Sequence, residues 1–304
     1  MRIITTTSEL ETFAAALAER PFAAIDTEFI REKTYWPVLC LIQAAADDLE
    51  AIIDPLAEGI DLTPFLELLA DKSVVKVFHA ARQDVEIFYQ LMNAVPEPLF
   101  DTQVAAMACG YGDQISYEAL MRGVLNAKID KGSRFTDWAR RPLSDRQLSY
   151  ALSDVTHLRD AYPTLRDQLE SQARLSWVEE EMAALVEPSL YFIEPENAWK
   201  RLKTHALKTK EIGPFIKLAE WREAQAQMRD VPRNRILKDD ALMELARAQP
   251  STPKELGRAR SVPSGFERSN AARGILEAID AGQTIAREDL PQLTKADRKK
   301  PPAA

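Results

Sequence analysis

The chain has 304 residues, 46% hydrophobic and 28% charged, with a net charge of −8 and two cysteines. That balance suits a globular protein with room for two cores, and it excludes both a disulfide-stapled miniprotein and a disordered polyelectrolyte. No apolar run reaches the roughly 18 residues of a membrane helix, and the N-terminus MRIITTTSELETF lacks an apolar signal core followed by a small-residue cleavage site, so a cytoplasmic protein is expected.

In chain order, residues 2–6 are a short strand candidate. Residues 8–20 start on a Ser8 cap and carry Leu10, Phe13, Ala14 and Leu17 at helical spacing. Three strand-like runs follow at 22–30, 38–46 and 49–55, with breaks that suit hairpins and a meander. Residues 62–71 read as a helix with Pro64 in its first turn. Residues 74–80 read as a further core strand, leading directly into a helix at 81–93. From 101 onward the pattern is helical, with segments at 101–109, 116–126, 144–172 and 174–186. Strands first and helices afterwards predict an α/β domain over 1–187, a mixed β-sheet flanked by helices. Residues 188–207 read as a surface connector. Residues 208–290 read as a small all-α bundle of several short helices, with loops at RDVPRNR, QPSTPKELG and SVPSG. Residues 291–304 form a basic, Pro-rich tail, expected to be disordered. Cys40 and Cys109, both in apolar contexts, read as packing residues of a reducing compartment.

The net charge conceals a split. Residues 1–200 hold 18 Lys and Arg against 33 Asp and Glu, whereas residues 201–304 hold 21 against 14. A basic rear half points to nucleic-acid or membrane contact, although chance variation of surface charge explains it equally well.

Asp26 and Glu28 stand inside the apolar run FAAIDTEFI. Residues two apart on a strand share a face, so the two carboxylates project together, and burial side by side is unfavourable unless a cation compensates. A strand end where both acids reach water is the simpler reading of this pair alone. Asp84 lies in the first turn of the helix after strand 74–80, at the kind of strand-to-helix junction where α/β sheets place ligands. It could equally complement the helix dipole. Tyr150 and Asp154 are spaced i, i+4 on one helical face. Taken together, the four acids make a ligand set for two Mg2+ or Mn2+ ions, hard cations that prefer carboxylate oxygen and clamp both oxygens of a phosphoryl displacement.

IDTEF, FHAARQDVEIF and YALSDVTHL resemble the three exonuclease motifs of the DEDD superfamily, and the Tyr four residues before the last Asp marks its DEDDy branch. DTEFIREKTYWPVLCLIQ, FDTQVAAMACGYG and DKGSRFTDWARRPLSDRQLSYALSDV resemble ribonuclease D, and residues 208–290 resemble its helicase-and-ribonuclease-D C-terminal (HRDC) domain. The resemblance implies a 3′→5′ exoribonuclease on an RNase H-like sheet. It implies that Asp26, Glu28, Asp84 and Asp154 hold two divalent metals, that Tyr150 orients the attacking water, and that nucleoside monophosphates leave one at a time. The implied substrates are structured RNAs, above all tRNA precursors with extra 3′ nucleotides, and no obligate protein partner is evident. Some family members carry a second helical domain. Here KKPPAA follows shortly after the first, so the chain is either a shorter member or a truncated sequence.

Among the remaining candidates, His79 could line the substrate groove or be a satisfied structural group. Phe29 and Ile30 could meet the terminal base or ribose. Lys131, Arg134, Arg140 and Arg141 cluster around Trp138, a pattern that could hold phosphates and stack a base or be an ordinary loop. Arg229, Arg233, Arg235 and Lys238, and Lys200, Arg201, Lys203, Lys208 and Lys210, could grip phosphates without sequence preference. Trp177, Trp199 and Trp221 read as core or interface residues. A DNA-directed exonuclease would use the same acids, and a non-catalytic adaptor would lack one of them.

Overall fold

The structure is a computed structural model that describes residues 1–129, 136–204, 207–262 and 265–291. It divides into two compact units: Met1–Ile30 with Pro37–Phe192, and Arg31–Trp36 with Ile193–Ala304. The segment between the first two long strands is therefore counted with the second unit.

In the first unit, the described strands are β1 (Ile3–Ile4), β2 (Phe22–Ile30), β3 (Val38–Ala46), β4 (Leu49–Ile53), β5 (Val75–Phe78) and β6 (Leu99–Asp101). They form one mixed sheet in the order β1-β4-β3-β2-β5-β6. β2, β3 and β4 make the expected antiparallel meander, while β5 and β6 run parallel to β2. The helices are α1 (Thr7–Ala18), α2 (Thr63–Ala70), α3 (Arg82–Met92), α4 (Thr102–Ala108), α5 (Tyr117–Leu125), α6 (Asp145–Ser171) and α7 (Leu175–Leu185).

β2 is apolar on both faces because the sheet is covered on both faces. Phe22 and Ala24 enter a core shared with α6, and Ala23 and Ile25 enter a second core shared with α1, α2 and α3. The even positions of β2 thus face α6, and Asp26 and Glu28 lie on that face. α6 starts on a capping box, in which Ser144 and Gln147 each bond the other's backbone N–H.

The second unit contains α8 (Thr209–Arg229), α9 (Arg233–Ile236), α10 (Asp239–Ala248), α11 (Pro253–Leu256) and α12 (Asn270–Gln283). Its core gathers Phe215, Leu218, Leu242, Leu245, Ile275 and Ile279 with Tyr35. Asp230 Oδ1 accepts from the N–H groups of Tyr35 and Trp36, both at 3.0 Å.

Several expectations need correction. The cap of α1 is Thr6, not Ser8, and its side chain accepts from Glu9 N–H. β6, absent from the strands expected, has only three residues, too few to show alternation in the sequence. The several short helices expected over 208–290 include a long one, because α8 runs for 21 residues through Gly213-Pro214. The carbonyl of Lys210, which Pro214 cannot use, accepts from Gln249 Nε2 at 3.0 Å. Gly213 has no room for a side chain, since a Cβ there would lie 2.2 Å from the Gly282 carbonyl oxygen. Two 3-10 turns, Pro188–Leu190 and Pro195–Arg201, occupy the connector, the helical turn α9 begins within the expected loop RDVPRNR, and α11 lies within the expected loop QPSTPKELG. Trp177 is 64% exposed, because the buried stripe of α7 runs through Val178 and Met182. Trp199 and Trp221 pack against the second unit's core. Both cysteines are free thiols. No helix among the described residues is long and apolar enough to cross a membrane.

Candidate active site

The β2–β3 ladder pairs Asp26 with Gln43 and Glu28 with Leu41, then shifts register so that Phe29 pairs with Leu39. Cys40 is the extra residue at that irregularity, beside the strand end that carries the acids. Such bulges re-aim side chains near functional sites.

From α6, Asp154 meets the two strand acids. Ligand oxygens of Asp26, Glu28 and Asp154 all lie within 4.8 Å of one another. Asp84 is placed differently. It sits in the first turn of α3, 7% exposed, outside that mutual group, and its Oδ1 accepts from Thr27 Oγ1 at 2.5 Å. Its charge nevertheless acts on Glu28, and that of Asp26 acts on it.

The electrostatics follow from burial and repulsion. Burial raises the pKa of Asp26 well above the carboxylate range, and the Asp154 charge adds to it. Glu28 is pushed up to about 9 by burial and by Asp26, Asp154 and Asp84. Asp84 is raised by burial and by Asp26, with the Thr27 bond opposing. Asp154 is pushed up to about 7 by burial, against the lowering effect of a hydrogen bond from Tyr150.

Supporting residues hold these elements in place. Asp101 accepts from the N–H groups of Ala80, Ala81 and Gln103 at 3.0, 2.8 and 2.8 Å. It thereby fixes the turn that delivers α3, where Ala80 has a left-handed φ of 57°. The Tyr117 hydroxyl donates to the backbone carbonyl of Asp154, and its ring meets His79 edge-on at 5.5 Å. In the sequence nothing marks Tyr117, and Thr27 and Asp101 appear only within IDTEF and FDTQVAAMACGYG.

A cavity of about 360 Å3 gathers Asp26, Thr27, Glu28, His79, Tyr117, Glu118, Tyr150 and Asp154. Larger grooves of about 1080 and 590 Å3 lie on α8–α12 and along β6–α7. Neither collects a comparable set of buried carboxyls, so volume alone does not locate the chemistry.

The sequence-derived contact residues fare unevenly. His79 borders the cavity, with Nδ1 3.0 Å from Thr102 Oγ1, and burial lowers its pKa against the Asp101 charge. Phe29 is half-buried and is not among the described residues lining the cavity. Ile30 packs on the α6-side core. Trp138 is 3% exposed, which removes it as a platform for a base. Arg141 donates to Asp54 at 2.7 and 2.8 Å, to Cys40 O and Trp138 O at 2.7 Å, and to Arg140 O at 3.1 Å. Those bonds occupy all five guanidinium N–H groups, leaving none for a phosphate. Arg140 is exposed. Lys131 and Arg134 lie outside the described residues, as does the tail from 292 onward.

In the second unit, Arg233 is drawn inward. It bonds the 1%-exposed Glu223 at 2.6 Å and stacks over Tyr35 at 4.6 Å. Arg229, Arg235, Lys238, Lys200, Arg201, Lys203, Lys208 and Lys210 are exposed.

The donor set fits divalent cations. It consists of carboxylate oxygens, the ligands hard cations prefer, and positive charge would favour the ionised form of all four buried acids and offset the repulsion felt by Asp26, Glu28 and Asp84. Gln43, paired with Asp26 on the same face, is fully buried, and neither atom of its amide has a hydrogen-bond partner among the described residues. The polar inventory beside Asp26 is thus not closed by protein groups alone.

Residues 1–170 match the 3′-5′ exonuclease family and residues 215–279 match the HRDC domain. Together with the mixed sheet and its acidic cluster, these matches define a 3′→5′ exonuclease with an RNase H-like fold and an appended HRDC bundle. The chain is 49% identical to ribonuclease D of Jannaschia sp. over 95% of its length and 76% of the relative's. It is 48% identical to that of Nitrobacter hamburgensis over 97% and 77%. The crystal structure of Escherichia coli RNase D superposes with a TM-score of 0.87 at 32% identity, covering 96% of this chain and 77% of that one. The chain belongs to the ribonuclease D family. It is a 3′→5′ exoribonuclease, a phosphodiester hydrolase of a fold that works with divalent metal ions.

Proposed function

We propose that this exoribonuclease releases nucleoside monophosphates singly from RNA 3′ ends, with Asp26, Glu28, Asp84 and Asp154 holding two Mg2+ or Mn2+ ions and Tyr150 orienting the attacking water. The observation that carries this reading is the approach of Asp26, Glu28 and Asp154 to within 4.8 Å of one another. When bound, such ions supply Lewis acidity at the attacking and leaving oxygens and acidify water. The chain's own contribution is placement. β2 and α6 are rigid elements that hold the carboxylates before substrate arrives. Thr27 holds Asp84 by its hydroxyl, and the Tyr150 hydroxyl, bonded to Asp154, is a polar group beside the acids. His79 borders the cavity and is proposed as a substrate contact.

The substrates are structured RNAs, above all tRNA precursors with 3′ extensions, in the cytoplasm. The E. coli relative is described as an exoribonuclease involved in structured RNA processing, which supports this. The exposed lysines and arginines of the second unit grip phosphates, an interaction that weakens with salt.

The test is digestion of matched 5′-labelled RNA and DNA oligonucleotides. Stepwise mononucleotide release from RNA is expected, abolished by EDTA and by Asp154→Ala. Release at the wild-type rate from the Asp154→Ala protein, or in excess EDTA, would overturn the metal reading. Faster digestion of DNA would move the assignment to a DNA-directed enzyme.

A further inference from the structure

Trp138 has no evident access to substrate, yet it touches the one aromatic side chain of the proposed reaction machinery. Its ring stacks on Tyr150, with centroids 6.3 Å apart and planes 27° apart. Trp138 itself is held from behind. Its carbonyl accepts from Arg141 Nη1 at 2.7 Å. The same guanidinium forks onto Asp54 and reaches the carbonyl of Cys40 at 2.7 Å. Cys40 is the extra residue at the β2–β3 register shift beside Glu28. One side chain therefore ties the support of Tyr150 to the strand pair that presents the acids.

A tyrosine hydroxyl stands far from its backbone, so a tilt of about 10° moves it by roughly 1 Å, and misplacement on that scale costs up to about 100-fold in rate. Helix α6 fixes the Tyr150 backbone, and the hydroxyl is bonded to Asp154. The indole stacked on the face of the ring limits its swing about the Cα–Cβ bond, the motion that displaces the hydroxyl.

We propose that Trp138 is a positioning residue for the hydrolysis, setting the Tyr150 ring so that its hydroxyl meets the attacking water, and that Arg141 serves the reaction by locking Trp138. This rests on the reading of Tyr150 as the water-orienting group.

The test uses the full chain, a 3′-labelled RNA oligonucleotide and saturating Mg2+. kcat and KM are measured for Trp138→Leu, Trp138→Phe and Arg141→Lys, each alone and combined with Tyr150→Phe, with Mn2+ affinity measured by calorimetry. Trp138→Leu is expected to lower kcat about 10- to 100-fold while KM and Mn2+ affinity hold, and Trp138→Phe is expected to recover most of the loss. In the Tyr150→Phe background, Trp138→Leu is expected to cost less than about twofold more, the non-additivity of groups acting as one unit. Arg141→Lys is expected to follow the same pattern, and it carries the test if Trp138→Leu does not fold. The proposal is overturned if the tryptophan effect is as large without the Tyr150 hydroxyl as with it. It is also overturned if Trp138→Leu keeps wild-type kcat while Tyr150→Phe alone is impaired. A Tyr150→Phe enzyme with unchanged kcat would refute the reading of Tyr150 itself, and the proposal with it.

Discussion

Thr27 donates its hydroxyl to Asp84 at 2.5 Å, joining the strand residue between Asp26 and Glu28 to the first turn of α3. Asp84 stands outside the group formed by the other three acids, and this bond, together with one from the Thr27 backbone, ties it to the strand. The bond also holds the Asp84 pKa down against burial. Thr27→Val keeps the shape and removes the donor. The half-saturating Mg2+ concentration is expected to rise about tenfold, a typical cost of losing a group that orients a metal ligand, with kcat at saturating metal nearly unchanged. A Mg2+ titration of activity checks this, and an unmoved midpoint would show that Asp84 is oriented without the Thr27 hydroxyl.

The raised acids link metal to stability. A carboxyl whose folded-state pKa exceeds its unfolded value contributes stability that is complete below the unfolded value and is lost as pH rises through the folded one. For Glu28 that window runs from 4.5 to about 9, and for Asp154 from 3.8 to about 7. The Tm of the metal-stripped protein is expected to fall across these windows. Cations bind the charged carboxylates, so the increment in Tm on adding Mn2+ is expected to widen over the same range. An increment flat with pH would mean that the acids are already ionised without metal.

Arg140 and Arg141 are neighbours with opposite assignments. Arg140→Ala is expected to weaken RNA binding a few-fold and to reduce the salt slope by about one, as read from affinities at several salt concentrations. Arg141→Ala leaves the Asp54 carboxylate, 15% exposed, without its fork, and is expected to lower Tm instead. If Arg141→Ala changed only RNA affinity, the structural assignment would be wrong.

In the second unit, Glu223 joins Arg233 and the Tyr35 hydroxyl. Glu223→Ala removes the acceptor of both partners, although Arg233 still donates to the Tyr35 hydroxyl at 2.8 Å. Arg233 is partly exposed, so the expected cost is about 2–3 kcal/mol, below the range for fully buried pairs. Thermal denaturation measures it, and a change near zero would mean that water replaces the carboxylate at no cost.

The long strands and the acids were legible because both obey short-range rules. The apolar run of β2 and its two polar interruptions sit within nine residues, and Tyr150 and Asp154 are one helical turn apart. What sequence concealed was set by partners distant along the chain. WARR reads as a basic loop until Asp54, from the end of β4, occupies the Arg141 fork. Residues 208–290 read as short helices only, and α8 runs through Gly213-Pro214 where Gly282 approaches closely and Gln249 donates to the carbonyl that Pro214 leaves free. Arg233 reads as a phosphate ligand until Glu223 claims it. Tyr117 carries no motif, and its bond to the Asp154 carbonyl exists only because α5 packs on α6.

The helical unit includes Arg31–Trp36, taken from between β2 and β3. Its gene segment is consequently split, and the rear part is no self-contained cassette. Exchanging it between relatives by a single crossover near residue 193 would leave Tyr35 and Trp36 facing a foreign Asp230 and Glu223. A functional chimera must bring that short insert along with its own bundle.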